Sequence, residues 1–299
     1  MRVLLAVPPS PTRLRNLVPL AFALRVAGHD VKVAGRSAFV GDILDTGCVA
    51  VELEDGDAGS LSESTALVEF AELWRPDVVV ADGQAAAGVQ AARAVGAKSV
   101  RFLGASDVLG DNEFDADITL DTVPVSLRGG EGVRAVRHVP HFGPAEVPDW
   151  LRRKTRRARV LLSVGDPEPL TAAFAAIGEV PAEVVCAADP ERLPDGITVP
   201  ANVKIVDAAP PAALLPTCAA VVHDGDVALA HAAVSYGLPQ LSLADNAFAA
   251  RIAGSGAGFV GVEHMTELLG ETVRDAAAVL RGEIEALPAP RAVVAELAR

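Results

Sequence analysis

Residues 223–229 read His-Asp-Gly-Asp-Val-Ala-Leu and lie between an apolar run and a helix-forming one. A sharp turn from strand to helix aims free backbone N–H groups and the positive helix end at one point, which suits an anion. Glycines and hydroxyls normally serve such an anion, whereas Asp224 and Asp226 bring carboxylates to it. One reading has them cap the helix, a contribution of about 0.5–2 kcal/mol. A second makes them a catalytic carboxylate pair. A third has them substitute for the anion's charge and bind the chain's own Arg13.

Other candidates are sparser. His138 and His141 form His-Val-Pro-His, two imidazoles without a third ligand at metal spacing, so no metal is expected. Ser235 follows His231 by one helical turn, but a nucleophile also needs an oriented acid and an oxyanion hole. Cys48, Cys186 and Cys218 are widely spaced and odd in number, which reads as buried thiols in a reducing cytosol. The run RRKTRRAR (152–159) places six basic residues in eight positions. It reads as a solvated linker or, with Arg152, Arg153, Arg156 and Arg157, as a docking patch for an acidic carrier protein or pathway enzyme.

That run is an exception in a chain of net charge −13, so nucleic acid is not an expected partner. Of 299 residues, 51% are hydrophobic and 22% charged, enough for packed cores. The opening MRVLLAVPPSP has a short apolar run cut by prolines and reads as a strand, not a signal peptide. No stretch has the roughly 20 apolar residues of a membrane span. A soluble cytoplasmic protein is expected.

The elements that must position these residues alternate. RVLLAV (2–7) is a continuous apolar run, as a parallel strand buried on both faces requires. A helix near 14–27 follows and stops at Gly28, and VKVAG returns as a strand. RPDVVVADG (75–83), a helix over 84–95 and KSVRFLG (98–104) continue the rhythm. Residues 105–148, rich in Asp, Gly and Pro, read as loops with one short strand around 134–139. RVLLSVGD (159–166) restarts the pattern, followed by strands at AEVVCAA, VKIVDA, AAVVHD and PQLSLAD. Residues 265–299 read as helical, broken at LPAP. Two doubly wound α/β domains are expected, with ligands in the cleft at the carboxyl ends of the strands.

The ordered segments NLVPLAFALRVAGHDVKVA (16–34), RPDVVVAD, RFLGASDVLG, DTVPVSLR, VPDWL, LLPTCAAVVHDG and GLPQ resemble GT-B glycosyltransferases. The likeness is strongest to the actinobacterial enzymes that attach deoxy- and aminosugars to macrolides and other polyketides. It implies a shortened acceptor-type domain over 1–148, a linker at 149–158 and a donor-type domain over 159–299 whose final helices pack back.

The departures fall on chemistry. In the family's first loop a His acts as base, and here the aligned position is Arg13, which cannot accept a proton. The family's donor turn, His-His-Gly-Gly-x-Gly-Ser/Thr, becomes His223, Asp224, Gly225, Asp226, Val227, Ala228 and Leu229. A carboxylate about 5 Å from a phosphate costs roughly 3 kcal/mol at an effective dielectric near 20. His231 falls where many members carry a His beside the phosphates. Near the sugar-contacting segment only Asp245 and Asn246 remain, and the stretch missing after Asp107 is one that helps wall the acceptor pocket.

The expected cleft is therefore lined by Ser10, Thr12, Arg13 and Asn16 on one side. His223, Asp224, Gly225, Asp226, His231, Asp245 and Asn246 line the other. Two functions follow. The first is a glycosyltransferase-like protein of natural-product biosynthesis without ordinary sugar transfer, acting as an auxiliary partner or binding a natural product. The second is an active TDP- or UDP-sugar transferase with Asp107 as its base. No cofactor is implied by either.

Overall fold

The computed structural model describes residues 1–53, 60–107, 115–128, 132–152, 155–188, 193, 196–207 and 209–298. The chain divides into two compact units, Met1–Pro144 with Ala286–Arg299, and Ala145–Glu285. The first unit thus takes in the last helix, Pro290–Leu297, whose Val293, Val294 and Leu297 enter its core.

The first unit is built on seven parallel strands: β1 (Arg2–Ala6), β2 (Asp30–Arg36), β3 (Ala50–Leu53), β4 (Val78–Asp82), β5 (Lys98–Leu103), β6 (Ile118–Asp121) and β7 (Arg134–Ala135). Their order is β3-β2-β1-β4-β5-β6-β7. Side chains alternate across the sheet. Val3, Leu5, Val78, Val80, Val100 and Phe102 pack under the helix Pro11–Val26. Leu4, Ala6 and Val79 face the helices Ser60–Trp74 and Ala86–Val95. Both faces are covered, which is why β4 is apolar without a break until Asp82.

The second unit holds β8 (Ala158–Ser163), β9 (Ala182–Ala187), β10 (Val203–Val206), β11 (Ala220–His223), β12 (Gln240–Ser242) and β13 (Gly258–Val260), all parallel. Their order is β10-β9-β8-β11-β12-β13. Val160, Leu162, Val184, Cys186, Ala220 and Val222 form one face of its core, with the helix Pro167–Ile177 packed on it.

The stretch read as loops corrects in part: β6 and a helical turn, Val125–Arg128, lie within it. ITLD is four residues long, preceded by Asp117 and ending in Asp121, too short for alternation to announce a strand. Register against β5 supplies what the pattern lacks, pairing Phe102 with Leu120. Residues 108–114 and 129–131 of that stretch lie outside the described residues.

In both units the strand order reverses beside the first strand, between β1 and β4 and between β8 and β11. The crevice at the carboxyl ends of such a pair is where this architecture holds ligands.

Candidate functional site

In the first unit the reversal point is filled by charge. Arg13 rises from the first turn of the helix that follows β1 and is 8% exposed. Its Nη1 donates to Asp82 Oδ1 at 2.6 Å, and its Nη2 donates to Asp107 Oδ1 at 2.9 Å and to Ser106 Oγ at 2.9 Å. Asp82 ends β4, and Asp107 closes a turn after β5 in which Gly104 N–H donates to its Oδ2 at 2.7 Å. Gly83 lets these parts meet, since a Cβ there would stand 2.8 Å from the Asp107 carboxyl carbon.

Burial pushes the Asp82 carboxyl up to about 6, against the pull of Arg13 and of the Gln84 N–H. Burial lowers the Arg13 guanidinium, but the hydrogen bond to Asp107 and the charges of Asp82 and Asp107 leave it above its ordinary value. A second arginine stands behind the turn. Arg128 grips Asp121 through Nε and Nη2, both at 2.8 Å, and donates to Gly104 O at 2.6 Å and to Asp107 O.

Within the first unit the charge of Arg13 is taken up by Asp82 and Asp107. Asp107, the candidate base, has one oxygen on Arg13 and the other on the Gly104 N–H. Asp82, Asp121 and Arg128 are the residues sequence reasoning missed. The signal for Asp82 is a carboxylate ending a wholly apolar strand, and for Asp121 and Arg128 a charge at each end of DTVPVSLR.

The remaining candidates of this unit lie nearby in sequence. Ser10 flanks the helix without a side-chain capping bond, and Thr12 is exposed. Asn16 stands one turn beyond Arg13. Its Oδ1 is buried without a hydrogen-bond partner among the described residues. His141 meets Phe22 edge-on with centroids 6.1 Å apart, and burial lowers its basicity, helped by Arg15.

In the second unit the reversal point carries the turn after β11. His223 is 1% exposed, with Nε2 3.1 Å from Gln240 Oε1 and Nδ1 accepting from Gly225 N–H at 3.1 Å. An acceptor Nδ1 fixes the proton on Nε2, and burial keeps the ring neutral by lowering its pKa. Gly225 has φ +96°, which suits glycine. Asp224 Oδ2 accepts from Gly165 N–H at 2.8 Å, in the loop after β8. Asp226 Oδ1 accepts from Ala228 and Leu229 N–H at 2.8 and 3.1 Å, as N-cap of the helix Val227–Tyr236.

Four N–H groups on the two sides of the reversal therefore already have protein acceptors. Asn246 caps the next helix and donates through Nδ2 to Gly225 O at 3.2 Å. His231 is buried edge-on against Phe248, and Asp245 is exposed. Ser235 Oγ donates to the His231 carbonyl at 3.2 Å, a helix-backbone bond. Among the described basic residues, Arg152, Arg156 and Arg157 are exposed, and Arg152 pairs with Asp149 at 2.9 Å. Arg153 lies outside the described residues. No described helix is long and apolar enough to cross a membrane.

Two parallel-sheet α/β units with loops gathered at their strand reversals define the GT-B class of glycosyltransferase. The domain models of the erythromycin biosynthesis protein CIII-like family match residues 108–165 (N-terminal domain) and 171–299 (C-terminal domain). Tylactone mycaminosyltransferase of Streptomyces fradiae is 30% identical, aligned over 100% of this chain and 92% of its own. TDP-daunosamine transferase DnrS of Streptomyces peucetius is 29% identical over 99% and 96%. The glycosyltransferase VinC, solved in complex with dTDP, superposes with a TM-score of 0.87 at 29% identity, covering 100% of this chain and 99% of VinC. The chain belongs to this family of glycosyltransferases of antibiotic and polyketide biosynthesis. The alignment to the mycaminosyltransferase runs over 418 positions, well beyond this chain's 299 residues, so the relative carries stretches that this chain lacks.

Proposed function

We propose that this chain is a glycosyltransferase-family protein of natural-product biosynthesis, working in the cytoplasm, that does not transfer sugar from a nucleotide donor by the ordinary route. It serves an active enzyme as an auxiliary partner, or binds a natural product itself. The single observation that carries this reading is the filled turn of the second unit. Where a diphosphate needs backbone N–H groups, those of Gly165, Ala228 and Leu229 are bonded to Asp224 and Asp226. A diphosphate approaching that turn meets two carboxylates and competes with bonds already made. The Arg13 ion pairs add to this, since the residue at the base position is a fixed cation.

Calorimetric titration of the wild-type chain with TDP and UDP tests the reading. No binding tighter than about millimolar, near −4 kcal/mol, is expected. Micromolar binding overturns it.

A second reading, an active TDP- or UDP-sugar transferase with an altered donor site and Asp107 as its expected base, draws also on Asp82, which shares Arg13 with Asp107. A carboxyl pushed up to about 6 is suited to accept a proton near neutral pH. Its relatives include VinC, which is solved with dTDP bound. Micromolar nucleotide binding, together with sugar transfer that Asp82→Asn abolishes, favours this second reading.

A further inference from the structure

The amino edge of the second unit's sheet is chemically unlike the rest of the chain. Trp150 lies half-buried there with two cations over its ring, Lys204 Nζ at 4.9 Å and the Arg159 guanidinium at 5.8 Å from the centroid. Arg159 is 3% exposed and held by Thr217 Oγ1 at 2.7 Å and Glu183 Oε1 at 3.4 Å, so this side of the stack is fixed. Beside it an open groove of about 290 Å³ runs past the starts of β9 and β10. Arg157, Asn202, Lys204 and the carboxylate of Glu183 give it polar walls, and Ala182, Ala201 and Val203 give it apolar ones. Arg156, Arg157 and Lys204 are exposed, in a protein of net charge −13.

We infer that this edge is a docking surface for an acidic protein segment, with Trp150 as its aromatic anchor and Arg156, Arg157 and Lys204 as its charge partners. The chemistry selects the partner. Glu183, whose Oε2 accepts from Thr155 Oγ1 at 2.8 Å, pairs with Arg159 at 3.4 Å, and Arg157 and Lys204 in the groove wall with Arg156 beside them outnumber its one charge. Trp and Arg are the side chains enriched at interface centres, and here Trp150 has Arg159 and Lys204 over its ring. Alanine and valine walls suit the apolar side chains of a peptide more than a sugar–phosphate backbone, and the strongly negative remainder of the chain repels nucleic acid and anionic lipid. The surface also leaves the donor turn free. It lies at the amino ends of β8 to β10, whereas the 223–229 turn follows the carboxyl end of β11, about 20 Å away along a strand.

The probe is Trp150 itself. Trp74→Phe leaves it as the chain's sole tryptophan, and that variant is titrated at low salt with an amphipathic Glu/Leu peptide. A saturable change in emission is expected, weakened about tenfold or more by Arg156→Ser/Arg157→Ser/Lys204→Ser, and weakened again by salt. These three side chains face solvent, so circular dichroism of the triple variant should match that of its parent. Absence of a saturable change overturns the inference. So does an undiminished response in the triple variant, or an equal response to a Gln/Leu peptide, to duplex DNA or to phosphatidylserine vesicles.

Discussion

Arg13 Nη1 and Asp82 Oδ1 meet 2.6 Å apart, joining the helix after β1 to the end of β4 across the strand reversal of the first unit. The Asp82 side chain is 1% exposed and that of Arg13 is 10% exposed, so both charges have left water. A pair buried this way holds only if its remaining hydrogen-bonding positions are met. Asp107, Ser106 and the Gln84 N–H meet them. The position that resembles a proton acceptor's has become a strut.

That strut gives the fold a pH dependence of known sign. Asp82 binds its proton at about 6 in the folded chain, against 3.8 as the ordinary value. Between those values the folded state holds the extra proton, so the contribution of Asp82 is fully present below about pH 4 and is lost as pH rises through about 6. Asp82→Asn imitates the protonated form. Its stability relative to wild type should therefore improve from pH 4 to 7, by at most about 3 kcal/mol. Urea unfolding at several pH values measures this, and a flat difference would mean that Asp82 titrates as an exposed carboxylate does.

The two buried arginines should act together. Asp107 receives Arg13 on its side chain and Arg128 on its backbone carbonyl. Arg13→Met and Arg128→Met each strand buried carboxylates, at a cost of about 3–5 kcal/mol. A double-mutant cycle should show a coupling above about 0.5 kcal/mol, because either loss loosens the same turn. Arg128→Lys should not restore stability, since the bond to Asp121 uses two nitrogens of a planar fork. Additive losses in the cycle would mean the two pairs stand independently.

The frame of both units was legible because it rests on long apolar runs. VVVAD and RVLLS, short apolar runs alternating with helical stretches, read as buried parallel strands, and Gly28 ends its helix visibly. What escaped was set by pairing over distance. β6 is held by its register with β5, and nothing in ITLD itself announces a strand. The partners of Arg13 lie 69 and 94 residues away, a separation at which local pattern carries no information. Asp226 was readable as a cap from its place before a helix, whereas the bond from Gly165 to Asp224 spans 59 residues.

The filled donor turn can be emptied by design. Asp226→Ala removes the acceptor for Ala228 and Leu229 N–H and should cost about 1 kcal/mol of stability, whereas Asp226→Ser keeps a cap without the charge. In Asp224→Ser/Asp226→Ser both carboxylates are gone, and each hydroxyl can donate to a phosphate oxygen. Removing charges a few ångströms from the anion is worth about 1 kcal/mol each in a water-like dielectric and several times that where water is excluded. TDP affinity of the double variant, read by calorimetry, should therefore rise at least about tenfold over wild type. Asp245→Ser, an exposed carboxylate outside the turn, should leave it unchanged. Equal affinities in wild type and the double variant would place the obstacle in the lost glycine and hydroxyl positions, Ala228 and Leu229, and not in the carboxylates.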